Sequence, residues 1–148
     1  MLSARFLLAF FHLLALAIGI AAVYARGRAL QRTTTAADLP DVFHADNWYG
    51  LAAMIWVGTG LWRAFGGAEK GSDYYMESHW FVGKMGIFLV VLALEMTPMI
   101  TLIRWRVAFK KNRAIPLERT LLLARLTQAQ LPLLLLMVLM AAAMARGF

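Results

Sequence analysis

Four long apolar runs limit what this chain can fold into more than any other feature. A helix needs about twenty mostly apolar residues to cross a hydrocarbon core of about 30 Å, and such runs lie at roughly residues 5–25, 47–65, 78–103 and 119–145. Leu, Ala and Met dominate them without strict alternation, which favours helices over barrel strands. The expectation is an all-α fold: one domain, residues 1–148, built as an integral membrane four-helix bundle. Composition agrees, with 61% hydrophobic and 16% charged residues, against about 25% charged in an ordinary soluble domain. There is no internal repeat or low-complexity segment.

The spans differ in character. The first, "FLLAFFHLLALAIGIAA", is apolar except for His12. Arg5 precedes it and small residues follow, as in a secretory signal. Its length, and Arg26, Arg28 and Arg32 after it, favour a retained span. The second carries Trp48, Tyr49 and Trp62 near its ends, where amphipathic rings favour the membrane interfaces. The third contains Lys84 and Glu95, and the fourth is long enough to tilt or to extend past the lipid.

Basic residues orient the bundle. Arg26, Arg28 and Arg32 after span one, and Arg104, Arg106, Lys110, Lys111, Arg113, Arg119 and Arg125 around the span three to span four connection, make ten. The other side has four: Arg5, Arg63, Lys70 and Arg146. The positive-inside rule then puts both termini outside and the basic loops in the cytoplasm. The formal net charge of +7 follows this alternation, so it reads as orientation plus attraction to anionic lipid, and not as nucleic-acid binding. A second copy of the chain or another membrane protein is a further available partner.

Ionisable groups inside spans are costly unless they face the bundle, snorkel or pair. His12 lies about seven residues in from the outer side, roughly 10 Å, and shares a helical face with Leu8, Ala9, Ala15, Leu16 and Gly19. Small residues there allow close helix approach, so His12 is expected to point inward, level with Lys84. Lys84 and Glu95, eleven residues apart, share a face with Val91 between them. From the inner side, Glu95 and Arg125 reach similar depth, which makes an ion pair available, with Gln128 adding a hydrogen bond. That pair reads either as a clasp between spans three and four or as part of a polar path.

The outer group is chemically richer. His12, Arg63, His79, Lys84 and Arg146 can converge from all four helices. Neutral imidazole is a good haem-iron ligand, and cations near the interface suit haem propionates or another anion. His12 is thus the metal candidate. His79, Lys84 or a methionine is the candidate second ligand for a b-type haem. The plainer alternatives are a hydrogen-bonded packing histidine and methionines that serve as adaptable core. With no cysteine, thiolate metal sites, iron–sulfur clusters and covalent c-type haem are excluded. Phosphate-loop, His-Glu-x-x-His and G-x-S-x-G patterns are absent, so catalytic residues are not assigned. "VGTG" at 57–60 reads as a close-packing notch, and "GSDYYMESHW" as an interfacial turn able to cover the outer cluster.

Over nearly its full length the chain resembles domain-of-unknown-function family 2214, small four-span bacterial membrane proteins. The resemblance lies in "FFHLLALAIG", "YGLAAMIWVGTGLWR", "YY…WFVGKMGIFLV", the "RWR" exit of span three and the terminal "MARG". His12, Gly60 with Leu61, and Trp80 with Lys84 are also similar to elements of the haem-containing protoporphyrinogen oxidases and related copper-resistance membrane proteins; Val82 stands where the oxidases often have histidine. This second resemblance implies a functional role for His12 and Lys84. Three functions are therefore expected in competition: a haem or related redox-cofactor protein, a transporter or accessory subunit with a polar path through Lys84, Glu95 and Arg125, and a purely structural bundle.

Overall fold

The computed structural model describes residues 3–67 and 76–147. The chain forms four long helices: α1 Ala4–Arg32, α2 Leu39–Phe65, α3 His79–Lys110 and α4 Thr120–Arg146. No strand occurs among the described residues. Lys70 and the tyrosines of the "GSDYY" stretch lie outside them, and with them the expected cover over the outer cluster.

Three helices are longer than the apolar runs suggested, α3 by the seven residues from 104 to Lys110, and all three extensions lie at one end of the bundle. α1 starts on a Ser3 cap, whose side chain accepts from the Phe6 amide. It runs through the expected basic loop to Arg32 and ends where Thr33 Oγ1 bonds back to the Ala29 carbonyl. Its 29 residues span about 44 Å. A short 3-10 turn, Ala36–Asp38, then reverses the chain. The Asp38 carboxylate accepts from the backbone N–H of Thr34 and Thr35, each at 2.9 Å. Pro40, in the first turn of α2, fits a helix start because its missing N–H has no intrahelical partner there. α2 thus begins at Leu39, eight residues before the expected span; Leu39, Val42 and Ala45 are buried.

α1 packs against α2 and α4, and α3 against α4. α2 and α3 meet chiefly through long side chains: Phe43 with Phe109 and Trp56 with Phe88, both at 5.8 Å between ring centroids. The core has three layers. Leu30, Leu39, Val42, Leu102, Trp105, Leu123 and Ala124 fill one end. Val23, Val91, Leu134 and Met137 form the middle. Ala64 and Phe81, with Met85 and Met144, form the other end.

Outside these layers the surface is apolar, with Met54 70%, Leu139 64% and Leu13 62% exposed. A soluble monomer would not present so much apolar surface, whereas lipid covers it at no cost. α1, α3 and the segment Leu117–Arg146 are long and apolar enough to cross a membrane. α2 is long enough but less apolar, with Asp41, His44 and Asp46 in its first turns and Arg63 in its last.

Candidate functional site

The structure gathers polar groups at two levels. At the level nearer the α1–α2 turn, Arg26 is fully buried. Its guanidinium grips both oxygens of Glu95, Nη1 to Oε1 at 2.8 Å and Nη2 to Oε2 at 2.5 Å, while Nη1 also donates to Asp46 Oδ1 at 2.8 Å. The Arg26 guanidinium carbon sits 4.7 Å from the centre of the Tyr49 ring. Gln130 Nε2 donates to Glu95 Oε2, and Tyr49 Oη to Gln130 Oε1. Arg106 completes the set, donating to Asp46 Oδ2, Asn47 Oδ1 and the Phe43 carbonyl. All four helices contribute, and two arginines balance two carboxylates. Bidentate, charge-balanced pairing of this kind is what makes buried charge tolerable.

Three expectations are corrected here. Glu95 pairs with Arg26; Arg125 is exposed on α4. The hydrogen bond from α4 comes from Gln130, because Gln130 lies on the buried stripe Leu123, Ala124, Thr127, Gln130, Leu134 and Met137, and Gln128 does not. Arg26 is no loop cation but a member of the buried α1 face Ala22, Val23, Arg26, Gly27 and Leu30. Tyr49 also turns inward, whereas Trp48 and Trp62 are exposed, as interfacial rings are. The path through Lys84, Glu95 and Arg125 is not assembled. Lys84 lies in another layer, with buried Val91 between it and Glu95 on α3, and Arg125 faces outward.

The second level is a cavity of about 470 Å³ at the opposite end, between the start of α1, the end of α2, the start of α3 and the end of α4. His12, Lys84 and Arg63 all line it, among apolar walls that include Trp56, Phe81 and Met137. Its size falls in the roughly 300–1,000 Å³ range of small-molecule and cofactor sites. His79 and Arg146 are exposed and do not line it. The outer constellation therefore gathers three of its five expected members. Lys84 Nζ stands 5.4 Å from the centre of the Phe81 ring.

His12 is held by one edge of its ring. Its Nδ1 lies 3.0 Å from the Trp56 carbonyl oxygen and 2.9 Å from Thr59 Oγ1, and the Thr59 hydroxyl also lies 2.7 Å from the Ile55 carbonyl. A carbonyl only accepts, so the bond to Trp56 is made in the tautomer that carries the proton on Nδ1 and leaves the lone pair on Nε2. The imidazole stacks on Trp56, with centroids 5.4 Å apart and planes at 16°. Gly60 allows this approach, because a Cβ there would stand 3.1 Å from His12 Cε1. Trp56 and Thr59, one helical turn before Gly60 and next to it, are the positioning residues that sequence reasoning missed; "VGTG" at 57–60 reads only as a packing notch and Trp56 carries no signal of its own.

An N–H to carbonyl bond on one imidazole nitrogen is the arrangement that orients the other as a ligand. No group of three His, Cys, Asp or Glu residues is placed to hold a metal among the described residues.

A family described as "Predicted membrane protein (DUF2214)" matches residues 4–148. No curated protein and no solved structure matches the chain.

Proposed function

The chain belongs to DUF2214, a family of predicted membrane proteins, and we propose that it is a bacterial inner-membrane protein that binds a b-type haem in the cavity at His12. The observation that carries this reading is the anchoring of His12: Nδ1 is held between the Trp56 carbonyl and Thr59 Oγ1 on the cavity wall, and with the proton on Nδ1 the basic nitrogen is Nε2. Arg63 and Lys84 supply the positive charge that propionates require, and the apolar walls suit a porphyrin face. Met137 and Met144 also line the cavity and join Lys84 as the residues that would help His12 hold the group. Bound there, a haem would supply one-electron chemistry at its iron. This chain's own residues orient it and exclude water.

In this reading α2 is the fourth crossing. Its Asp46 lies in the charge-balanced layer with Arg26 and Arg106, which leaves residues 47–65 to cross the lipid. Both termini are then outside. With Arg26 and Arg106 assigned to the buried layer, eight of the ten inner basic residues remain against four outside. Arg28, Arg32, Arg104, Lys110, Lys111, Arg113 and Arg119 are exposed there and positioned for anionic lipid.

The test is a spectrum. Protein expressed with ample haem and purified in mild detergent should show a Soret band, lost in His12→Ala. Colourless wild-type protein would overturn the proposal. The layered core and the closed ion network favour the second reading, a structural bundle, and under it His12→Ala would change stability alone.

A further inference from the structure

The seam between α1 and α4 closes on a glycine at the end away from the cavity. A Cβ on Gly27 would lie 3.0 Å from Gln128 Cγ and 3.7 Å from Thr127 Cγ2, so the two helices run close together there. Helical spacing places the neighbours of this contact. Round α1 from Gly27, away from buried Leu30, come Tyr24 and then Arg28; round α4 from Gln128, away from buried Thr127, comes Arg125. All three are exposed, so both arginines stand on the outer flank of one seam. The helices are antiparallel. Arg28 lies one residue, and Arg125 three residues, nearer the basic connections than the Gly27–Gln128 contact, which sets them about 3 Å apart in depth.

The ion layer does not use either of them. Arg26, two residues before Arg28 and on the opposite face of α1, is the arginine that pairs with Glu95 and Asp46. Arg28 and Arg125 have no hydrogen-bond or ion-pair partner among the described residues. Two neighbouring guanidiniums repel unless an anion lies between them, and phosphate oxygens match the planar fork of each.

What lies on the membrane side of the pair selects the carrier of that anion. Tyr24 is one turn towards the membrane, and a half-exposed ring of this kind favours the headgroup level. Beyond it the same flank is apolar, with Leu135, Leu139 and Leu13 exposed. A free phosphate in water would gain only two solvated, screened charges. A phospholipid is already held at this depth with its chains against the apolar flank, so its phosphate meets the pair at high local concentration. A zwitterionic headgroup would bring its own ammonium up to the arginines, and an anionic one does not.

We infer that the α1–α4 seam at the basic end of the bundle binds one anionic phospholipid, whose phosphate Arg28 and Arg125 clamp from two helices while a chain lies along the exposed apolar flank. The inference rests on the membrane crossing proposed above and is independent of haem. It gives Arg125, which does not reach Glu95, a partner of its own.

Native mass spectrometry tests it. Protein in mild detergent, supplied with equal amounts of phosphatidylglycerol and phosphatidylcholine, should retain one phosphatidylglycerol with a preference of roughly tenfold. Arg28→Gln with Arg125→Gln should erase that preference; should the double variant not fold, either change alone should cut it about threefold. Arg104→Gln with Arg113→Gln removes the same charge from exposed positions away from the seam and should leave the preference intact. Equal retention of the two lipids by the wild type, or the same loss in both double variants, would overturn the site. Millimolar inorganic phosphate should not displace the lipid, and displacement would overturn the lipid in favour of the free ion. A micelle has no sides, so these outcomes hold whichever way the chain is inserted. Orientation is read separately in this cysteine-free chain: Ala114→Cys, between α3 and α4, should resist a membrane-impermeant maleimide added to intact cells. Labelling there would overturn the orientation and not the site.

Discussion

Arg26 and Glu95, 69 residues apart in sequence, meet in a bidentate pair that closes the bundle at one end, with Asp46 on the same guanidinium. The pair joins α1 to α3, two helices that share little other packing. The cavity lies at the opposite end of the same helices. The ion layer fastens two helical hairpins, α1 with α2 and α3 with α4.

Removing both partners of this pair should cost less than the two single changes added together. Arg26→Met leaves Glu95 and Asp46 without their shared cation and should destabilise by about 3–5 kcal/mol. Arg26→Met combined with Glu95→Met should cost clearly less than the sum of the two single changes, by about 1–3 kcal/mol. Unfolding midpoints in mixed detergent measure both, and additive effects would show that the two side chains do not act as a pair.

Little of this layer was legible in advance, for a local reason. Arg26 stands in "RGRALQR", directly after an apolar run, so its charge reads as a loop marker. The contrary signal lies in the small residues: Ala15, Gly19, Ala22 and Val23 continue at helical spacing into Arg26, Gly27 and Leu30, all buried. That stripe extends the helix past the hydrophobic run and makes Arg26 an interior group. Once Arg26 is inside, Glu95 has a nearer partner than Arg125. His12 was legible because a lone imidazole among Ala9, Ala15 and Gly19 has one small-residue face to point along. His79 and Arg146 failed for the opposite reason: they sit at helix ends, where depth alone does not fix direction.

The cations of the cavity should matter to the ligand. Lys84→Met and Arg63→Met each remove one charge-assisted contact to an acidic ligand group, and each should raise the haem Kd roughly tenfold, as loss of one such bond implies. Haem titration followed at the Soret band gives both constants. An unchanged Kd in both variants would remove the anion-binding role.

Gly60→Ala should disturb His12 without touching its hydrogen-bond partners. The added methyl would stand 3.1 Å from His12 Cε1 in a ring already stacked on Trp56. Overpacking should cost about 1–3 kcal/mol, and the displaced imidazole should shift the Soret maximum. Gly58→Ala, where a Cβ meets nothing within 4 Å, is the control and should change neither.

The turn before α2 gives the bundle a pH-dependent element outside the membrane. Backbone N–H groups of Thr35 and Thr34, with the Thr34 hydroxyl, hold the Asp38 carboxyl below its ordinary range. The stabilisation is present above the unfolded carboxylate's pKa and is lost as pH falls through the lowered value in the fold. Hydrogen exchange at the Thr34 and Thr35 amides should accelerate, relative to the intrinsic rate, below that point. Asp38→Asn should flatten the profile, since it keeps an acceptor and does not titrate in this range.

Thr127 offers a test of the buried layer's completeness. Its side chain is wholly buried next to Gly27, yet Oγ1 has no hydrogen-bond partner among the described residues, and neither does Arg26 Nε. A hydroxyl buried without a partner costs free energy that an isosteric methyl does not. If the layer is dry, Thr127→Val should leave the unfolding midpoint unchanged or raise it, by up to about 1 kcal/mol of stability. A loss of about 1 kcal/mol or more would instead reveal a water joining Thr127 Oγ1 to Arg26 Nε, since such a water stabilises nearly as well as a direct bond. The sign of one substitution therefore tells whether the ion layer of α1 and α4 is anhydrous.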